Sequence, residues 1–460
     1  MREPHKEGYR LAYKFRLYPN RDQQEYFNKC FGCTRFVYNY FLNERIKAYT
    51  KTKEHIKKLV VNEEGEPILD ESGKRQYEEV SNPEYDPQAR SMTFYDTSKA
   101  LTRLKKETVD EEGHKWLYDA DSTALVYALR HLDSAYQNFF RRVKQGGDLG
   151  FPKFKSRYNS NQSFTTAKPT VEDNAIVLNK IGRIKAKIHR EVKGEIIAAT
   201  ISRNAAGQYY AAIKVKDADI EPLPTKNEEV GITLGLKKWI TTSDGQVYVM
   251  PEKIKQLEKK LAKEQRKLSR KVGARKGETP SENYKKQKLR VARIQNKIAN
   301  IRESTTHEAT RDIVNNYGVV ITREMNPKNM FENDTPVKEK LPRKVQQKMN
   351  RAIASANFAE VNRQLAYKSQ WAKRAFVELP SDVPTAQVCN HCGYKHVMLI
   401  KDLRAEWTCP NCGLVHDRKY NGAKNVLEAG MDVLHNEEES FVMQARKQKK
   451  VLESKIDSSC

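Results

Sequence analysis

The chain has 460 residues, with 84 Lys and Arg against 59 Asp and Glu, a formal net charge of +25 at pH 7 and 38% hydrophobic residues. That length predicts several domains with buried cores, and a cationic surface of this size suits a polyanion. No apolar run reaches the roughly 18 residues of a bilayer span, and the N-terminal MREPHKEGYRLAYKF lacks the apolar core of a signal peptide. Seven cysteines, four of them in metal-like spacing, fit a reducing cytosol better than secretion.

Tyr9 to Tyr18 alternates apolar and polar residues and predicts a strand that Pro19 stops. Asn20 is placed to cap a helix beginning near Asp22. Cys30 and Cys33 form a CxxC inside that helix with no partner pair nearby, so a structural role beside Phe36 and Val37 is expected. From Lys51 to Arg90 the chain is acidic and rich in turn formers, as in a small hairpin or a disordered insertion. Thr93 to Val143 is helical. Its second helix carries Leu125, Leu129, Leu132, Tyr136 and Phe139 on one face and Arg130, His131, Arg141 and Arg142 on the other, with Asp121 as a cap. The polar face is either solvated or set against nucleic acid.

GDLGFPKFKSRYNSNQSF then interleaves Phe151, Phe154, Tyr158 and Phe164 with Lys153, Lys155 and Arg157, aromatic faces for bases and cations for phosphates. Short alternating runs from Ala175 to Lys216, split at Gly182, Gly194 and Gly207, predict a small antiparallel barrel with the N-terminal strand. After the Pro-containing EPLPTKNEE linker, VGITLGLKKWITTSDGQVYVM reads as strand, turn and strand. Residues 251–303 form a helical hairpin broken at GARKGETP, with 18 Lys and Arg against 6 acids. It is either a solvated hairpin or a polyanion-facing one.

The C-terminal part holds two further CxxC pairs, Cys389/Cys392 and Cys409/Cys412, each followed by a glycine, Gly393 and Gly413. Two such knuckles offer four thiolates to one tetrahedral Zn²⁺; accidental pairs or a disulfide framework are the competing readings.

Several of these runs resemble one family. AYKFRLYPNRDQQEYFNKCFGCTRFVYNYFL carries the RLYP and RFVYN patterns, and Asp417 to Val426 resembles the DRDxNAAxNI signature of TnpB, a transposon-encoded RNA-guided nuclease similar to compact type V CRISPR effectors. VGITLGLKKWITTSDG resembles its first RuvC motif and YGVVITREMNPKNM its second. The resemblance implies a multidomain α+β chain: a wedge β-barrel with an inserted helical recognition domain, then an RNase H-like (RuvC) α/β domain with an inserted zinc ribbon. The expected divisions are 1–50 for the wedge strand and the start of the recognition domain, 51–92 for the acidic insertion, 93–150 for the recognition helices and 151–222 for the barrel. They continue with 223–384 for the RuvC-like domain and its basic hairpin 251–303, 385–415 for the zinc ribbon, 416–430 for the last RuvC motif and 431–460 for a charged tail. The implied partners are a guide RNA, one protein to each, and duplex target DNA with a short adjacent motif, with no membrane. Tyr95, Ser122, Val126 and Thr165 match the family's motif-reading positions, and Arg130, Lys153, Lys155, Arg157 and Lys237 are the expected nucleic-acid contacts. The expected location is the bacterial cytoplasm, at the nucleoid.

The family's catalytic Asp, Glu and Asp fall on Thr233, Arg323 and Lys419. A RuvC site holds two Mg²⁺ ions about 3.5–4 Å apart with hard carboxylate oxygens. One neutral and two cationic side chains would oppose those ions by several kcal/mol at an effective ε of about 20. Glu324 neighbours Arg323, and adjacent strand residues face opposite sides of a sheet. Asp244, Glu406 and Asp417 lie near the motifs at other positions. Arg323 and Lys419 would either touch backbone phosphate or pair with Glu324 and Asp417. The expectation is therefore structural Zn²⁺, no catalytic Mg²⁺ and no enzymatic activity, as in the TnpB-like nuclease-dead repressors (TldR), which occlude promoter DNA. The alternative is an RNA-guided endonuclease with relocated metal ligands.

Overall fold

The computed structural model describes residues 9–62, 67–68, 76–145, 150–158, 161–218, 224, 228–271, 280–325, 330–331, 342–396 and 404–435. It divides into two units, Met1–Asp219 and Ile220–Cys460. No helix among the described residues is long and apolar enough to cross a membrane. The expected charged tail lies almost wholly outside the described residues.

In the first unit, β1 (Tyr9–Leu17) alternates, so Tyr13, Phe15 and Leu17 are buried. Asn20 closes a full capping box with Gln23 at the start of α1 (Arg21–Lys51). Cys30 and Cys33 lie buried in that helix, among the apolar core. Part of the acidic segment is a hairpin of β2 (His55–Leu59) and β3 (Tyr77–Ser81), pinned to the end of α1 by Asn82, whose amide donates to Thr50 O and Lys53 O at 2.8 and 2.7 Å. Residues 63–66 and 69–75 of it are outside the described residues. Then come α2 (Phe94–Glu107) and α3 (Ser122–Lys144). Asp121 caps α3 through Thr123 N and Ala124 N and also accepts a short hydrogen bond from Thr166 Oγ1, which fixes the helix to the sheet. Arg45 meets Asp133 at 2.9 Å and ties α1 to α3.

Strands β4 (Gln162–Ala167), β5 (Thr170–Glu172), β6 (Ala175–Leu178), β7 (Gly182–Lys187), β8 (Glu195–Arg203) and β9 (Tyr209–Ala218) join β1 in an antiparallel sheet of order β4-β8-β9-β1-β7-β6-β5. The expected barrel is corrected: the sheet is open. β4 and β5 are consecutive in sequence yet stand at opposite ends of the order, so the sheet curls until its edges approach without pairing. Between them stand Lys168, at φ 43, and Pro169, which has no N–H to give a ladder.

The second unit is mixed α/β. β10 (Glu229–Leu234), β13 (Val319–Arg323) and β14 (Ala375–Leu379) are parallel, and β11 (Ile240–Thr242) and β12 (Val247–Tyr248) extend the β10 edge antiparallel. The basic hairpin is α4 (Glu252–Ser269) and α5 (Glu282–Asn316), zipped by Ile254, Ile294 and Ile298. Helix α5 runs past the expected end at Glu303 because Ala309, Ile313 and Val314 continue its apolar stripe into the core. There α7 (Phe358–Trp371), which follows α6 (Arg343–Ala356), adds Val361 and Leu365 against Val230, Ile232 and Val320. The small hairpin of β15 (Glu406–Thr408) and β16 (Val415–Asp417) leads into α8 (Arg418–His435), which covers the other face. The approach is close: a Cβ on Gly231 would stand 2.2 Å from Ala423 O. Only glycine allows it.

Candidate nucleic-acid interface and metal centre

The outward face of the first unit's sheet follows from strand alternation. Tyr13, Phe15, Ile184, Ala186, Ile213 and Val215 point inward, so Lys14, Arg16, Lys185, Lys187 and Lys214 point outward. The Arg16 guanidinium lies between two rings, 5.6 Å from Tyr18 and 5.1 Å from Tyr210.

Near this sheet, Ser122, Thr123, Val126, Tyr127, Arg130 and Ala167 line a cleft of about 300 Å³ between α3 and the end of β4. Ser122, Val126 and Arg130 of the expected contacts thus come together. Lys105 donates to Ser122 Oγ at 3.3 Å and lies 4.3 Å over Tyr118. Lys105, Tyr127 and Ala167 were not anticipated; only α2 packing on α3 brings Lys105 there. Tyr95 is 77% exposed on α2. Thr165 is 6% exposed, with its hydroxyl paired to Thr200 at 2.9 Å, and the register places it in one row with Thr200, Ala212 and Lys14 on the outward face of the sheet. Phe164, its neighbour on the opposite face of β4, belongs to the core, 5.5 Å from Phe31. Of the aromatic–basic segment, Phe154 and Tyr158 remain exposed, with Lys153 and Arg157; Arg157 donates to Tyr158 OH at 2.8 Å. The Lys155 ammonium lies 4.0 Å over Tyr38, and burial lowers its proton affinity.

In the second unit, Thr233, Arg323 and Lys419 converge at the ends of parallel strands β10 and β13, on the α8 side. Thr233 Oγ1 donates to Lys419 O at 2.9 Å, and Lys419 Nζ makes a short hydrogen bond to Leu234 O. Burial, with Arg418 and Arg323 nearby, brings the Lys419 ammonium down to about 8. Arg323 Nη1 donates to Val383 O at 3.1 Å, and burial lowers its proton affinity as well. Asp417 is the cap of α8, accepting from Lys419 N and Tyr420 N at 3.0 and 2.9 Å, and its ion-pair partner is Lys238 at 2.7 Å. The expected Lys419–Asp417 ion pair is therefore replaced by Lys238–Asp417. Lys237 is exposed beside it. Asp244 accepts short hydrogen bonds from Thr242 and Tyr317.

Cys389, Cys392, Cys409 and Cys412 bring their Sγ atoms within 4.8 Å of one another. Gly393 and Gly413, at φ 72 and 73, turn each knuckle back on its first cysteine, with Gly393 N to Cys389 O and Gly413 N to Cys409 O both at 2.9 Å. Zn–S bonds of about 2.3 Å place tetrahedral sulfurs about 3.8 Å apart. Cys389–Cys412 and Cys392–Cys409 stand at 3.7 and 3.6 Å, so the cluster fits such an ion. His416 Nε2 lies 3.0 Å from Cys389 Sγ, and its ring packs on Trp407. His416 was not singled out in the sequence; Asn421 and Asn425, the two asparagines of the DRDxNAAxNI-like stretch, hold the first knuckle.

Family models match three segments of the chain: a "Helix-turn-helix domain" of IS605 OrfB over residues 9–54, an IS605 OrfB "Probable transposase" over 212–334, and a "Cas12f1-like, TNB domain" over 358–426. A curated relative from Streptomyces pristinaespiralis, "Putative RNA-guided DNA endonuclease", is 29% identical over 425 residues, 91% of this chain and 89% of its own length. Another from Escherichia coli K12, "Putative RNA-guided DNA endonuclease InsQ", is 29% identical over 431 residues, 92% of this chain and 93% of its own. Among solved structures, Cas12f1 in its complex with sgRNA and target DNA is similar over 91% of this chain and 98% of its own, with 12% identity and a TM-score of 0.41.

These relatives correct one expectation. The reading of the chain as no enzyme rested on Thr233, Arg323 and Lys419 standing at carboxylate positions. Relatives aligned along nearly the whole chain carry the names of endonucleases, which are enzymes. The physical reason the inference overreached is that a metal site consists of oxygen atoms converging in space. Three aligned positions do not exhaust the acids of the unit. The chain is thus similar to IS605 OrfB and Cas12f1-like models over three segments and to RNA-guided endonuclease relatives along nearly its whole length.

Proposed function

We propose that this chain is an RNA-guided, sequence-specific DNA-binding protein that silences transcription by occupying promoter DNA. The observation that carries the binding reading is the outward face of the first unit's sheet. Five cationic side chains stand there on the strands of one sheet, over an apolar inner face. Such a face suits the phosphates of a folded RNA, and Tyr18, 50% exposed beside Arg16, offers a ring on which a base can stack.

Guidance divides the labour: base pairing reads the target, and the protein reads only a short adjacent duplex. The α3 cleft suits that second task. Ser122 can hydrogen-bond a base edge, Val126 can touch a thymine methyl, and Arg130 can hold a phosphate or a guanine. Lys153, Arg157 and the exposed Phe154 and Tyr158 extend the cationic and stacking surface. We assign structural Zn²⁺ to the four cysteines.

A second reading, guide-dependent cleavage, is favoured by the relatives' names. Its metal ligands would be drawn from Asp244, Glu324, Glu406 and Asp417. Protein purified with its RNA, mixed with a matched duplex and titrated with Mg²⁺, separates the two. Occupancy gives a guide-dependent gel shift with full-length DNA recovered and a promoter-driven transcript suppressed. Guide-dependent nicking abolished by Glu324→Ala or Asp417→Ala establishes the second reading instead.

A further inference from the structure

We propose that Asn421 and Asn425 are positioning residues that carry the ordering of the metal knuckles into the start of α8, and through it into the Thr233–Arg323–Lys419 cluster. The inference rests on the reading of the four cysteines as a metal site.

The two asparagines stand one helical turn apart on α8 and are almost fully buried, at 1% and 7% exposure. Asn421 brackets Cys389 on both sides. Its Nδ2 donates to Val388 O at 2.7 Å, and its Oδ1 accepts from Asn390 N at 3.0 Å. Asn425 Nδ2 donates to Val388 O at 2.7 Å and to Thr385 O at 2.6 Å. The pair thus supplies the backbone around the first metal-binding cysteine with partners it has in no sheet. A short side chain carrying both a donor and an acceptor is required; aspartate has no N–H, and alanine has neither.

The second knuckle reaches the same helix along the chain. β16 ends at Asp417, which caps α8, and Arg418 N donates to Ala405 O at 2.8 Å. Both knuckles are therefore fixed to the first two turns of α8. Those turns hold the cluster: Thr233 Oγ1 bonds Lys419 O, and Lys419 Nζ bonds Leu234 O. Gly422 lies against both parts: a Cβ there would stand 3.3 Å from Thr233 Cγ2 and in ordinary contact, 3.7 Å, with Ala386 Cα. From the other side, Arg323 reaches Val383 O, on the segment that leads into the first knuckle. A bound ion orders both knuckles at once, and the asparagines make that ordering felt at the strand ends.

The test is hydrogen exchange of the full-length, RNA-bound protein, followed by mass spectrometry of peptides covering residues 418–427 and 228–236, before and after chelation. Zinc content is measured in parallel. In the wild type, chelation should speed exchange in 418–427 by about tenfold, as expected when hydrogen bonds that hold a helix start are released. The Asn421→Ala/Asn425→Asp double variant should retain about one zinc per chain, exchange at the rate of the chelated wild type and gain nothing further from chelation. A purely structural role would slow or speed exchange without removing the response to chelation. Should the double variant fail to fold, Asn425→Gln, which keeps the donor on a longer stem, should retain zinc and show a reduced response. Zinc removed with 418–427 still protected overturns the transmission alone, as does a double variant that responds like the wild type. A purified wild type without zinc overturns the metal reading and the transmission together.

Discussion

The two sheets of this protein use their cations differently. On the first unit's sheet, Lys14, Arg16, Lys185, Lys187 and Lys214 stand on an outward face, held by alternation over a buried apolar layer. At the strand ends of the second unit's sheet, Arg323 and Lys419 are half-buried, each bound to a main-chain carbonyl, and burial lowers the proton affinity of both. The first arrangement leaves charge available to a polyanion and contributes little to stability. The second draws charge into the architecture, where a lost partner is costly. Sign alone therefore does not identify a binding surface; whether the charge stands on an outward face or is drawn in against main-chain carbonyls does.

Replacing Cys409 with Ser should produce the largest effect, because structural zinc contributes folding energy outright. We expect the transition of the second unit in scanning calorimetry to fall by about 10 °C with loss of zinc, while that of the first unit stays in place. Equal shifts in both would erase the distinction between them. The first unit has its own buried link in Asp121, which caps α3 and accepts from Thr166. Asp121→Ala removes the cap and leaves buried donors unpaired, for an expected loss of about 3 kcal/mol in urea unfolding. Zinc content should not change.

The next comparison is between the two sets of cations. Lys185→Glu with Lys187→Glu should weaken guide-RNA binding about tenfold and reduce the salt slope of binding by about 0.7–0.9 per phosphate contact removed, with the melting temperature unchanged. Arg323→Ala should do the reverse, lowering stability with little change in RNA affinity. The smallest expected effect lies in the α4–α5 hairpin. Gln287 and Lys267 hydrogen-bond the buried Glu264 and hold its carboxyl down at about 2 from an ordinary 4.5. A depressed carboxylate stabilises the folded state above its ordinary value and loses that contribution as pH falls toward its folded value. Acid unfolding followed by circular dichroism should therefore show a slope between about pH 4.5 and 2 that Glu264→Gln flattens.

Much of this architecture was legible in the sequence wherever the signal was local. Asn20 and Asp121 cap the helices they precede, the isoleucine spacing of residues 251–303 gives the zipped hairpin, and four cysteines with their glycines give the knuckles. What stayed hidden depends on contacts far apart in the chain. Strand alternation cannot say whether a sheet closes; a two-residue link with Pro169 left β4 and β5 unpaired. Thr165 matches a motif-reading position, but its hydroxyl is taken by Thr200, a partner 35 residues away. Asn421 and Asn425 stand in the signature-like stretch, but their partners Val388 and Thr385 lie more than 30 residues away and are met only in the fold. The acids near the strand ends show the same limit, since position in a motif does not establish which oxygens meet in space.

The most direct test of RNA-guided recognition is to purify the protein from its native host, sequence the RNA that accompanies it, and titrate the complex with duplexes matched or scrambled against that guide. A single small RNA species should be recovered, and the matched duplex should bind about a thousandfold more tightly than the scrambled one at physiological salt. Equal affinity for both duplexes, or protein that purifies free of RNA, would contradict it.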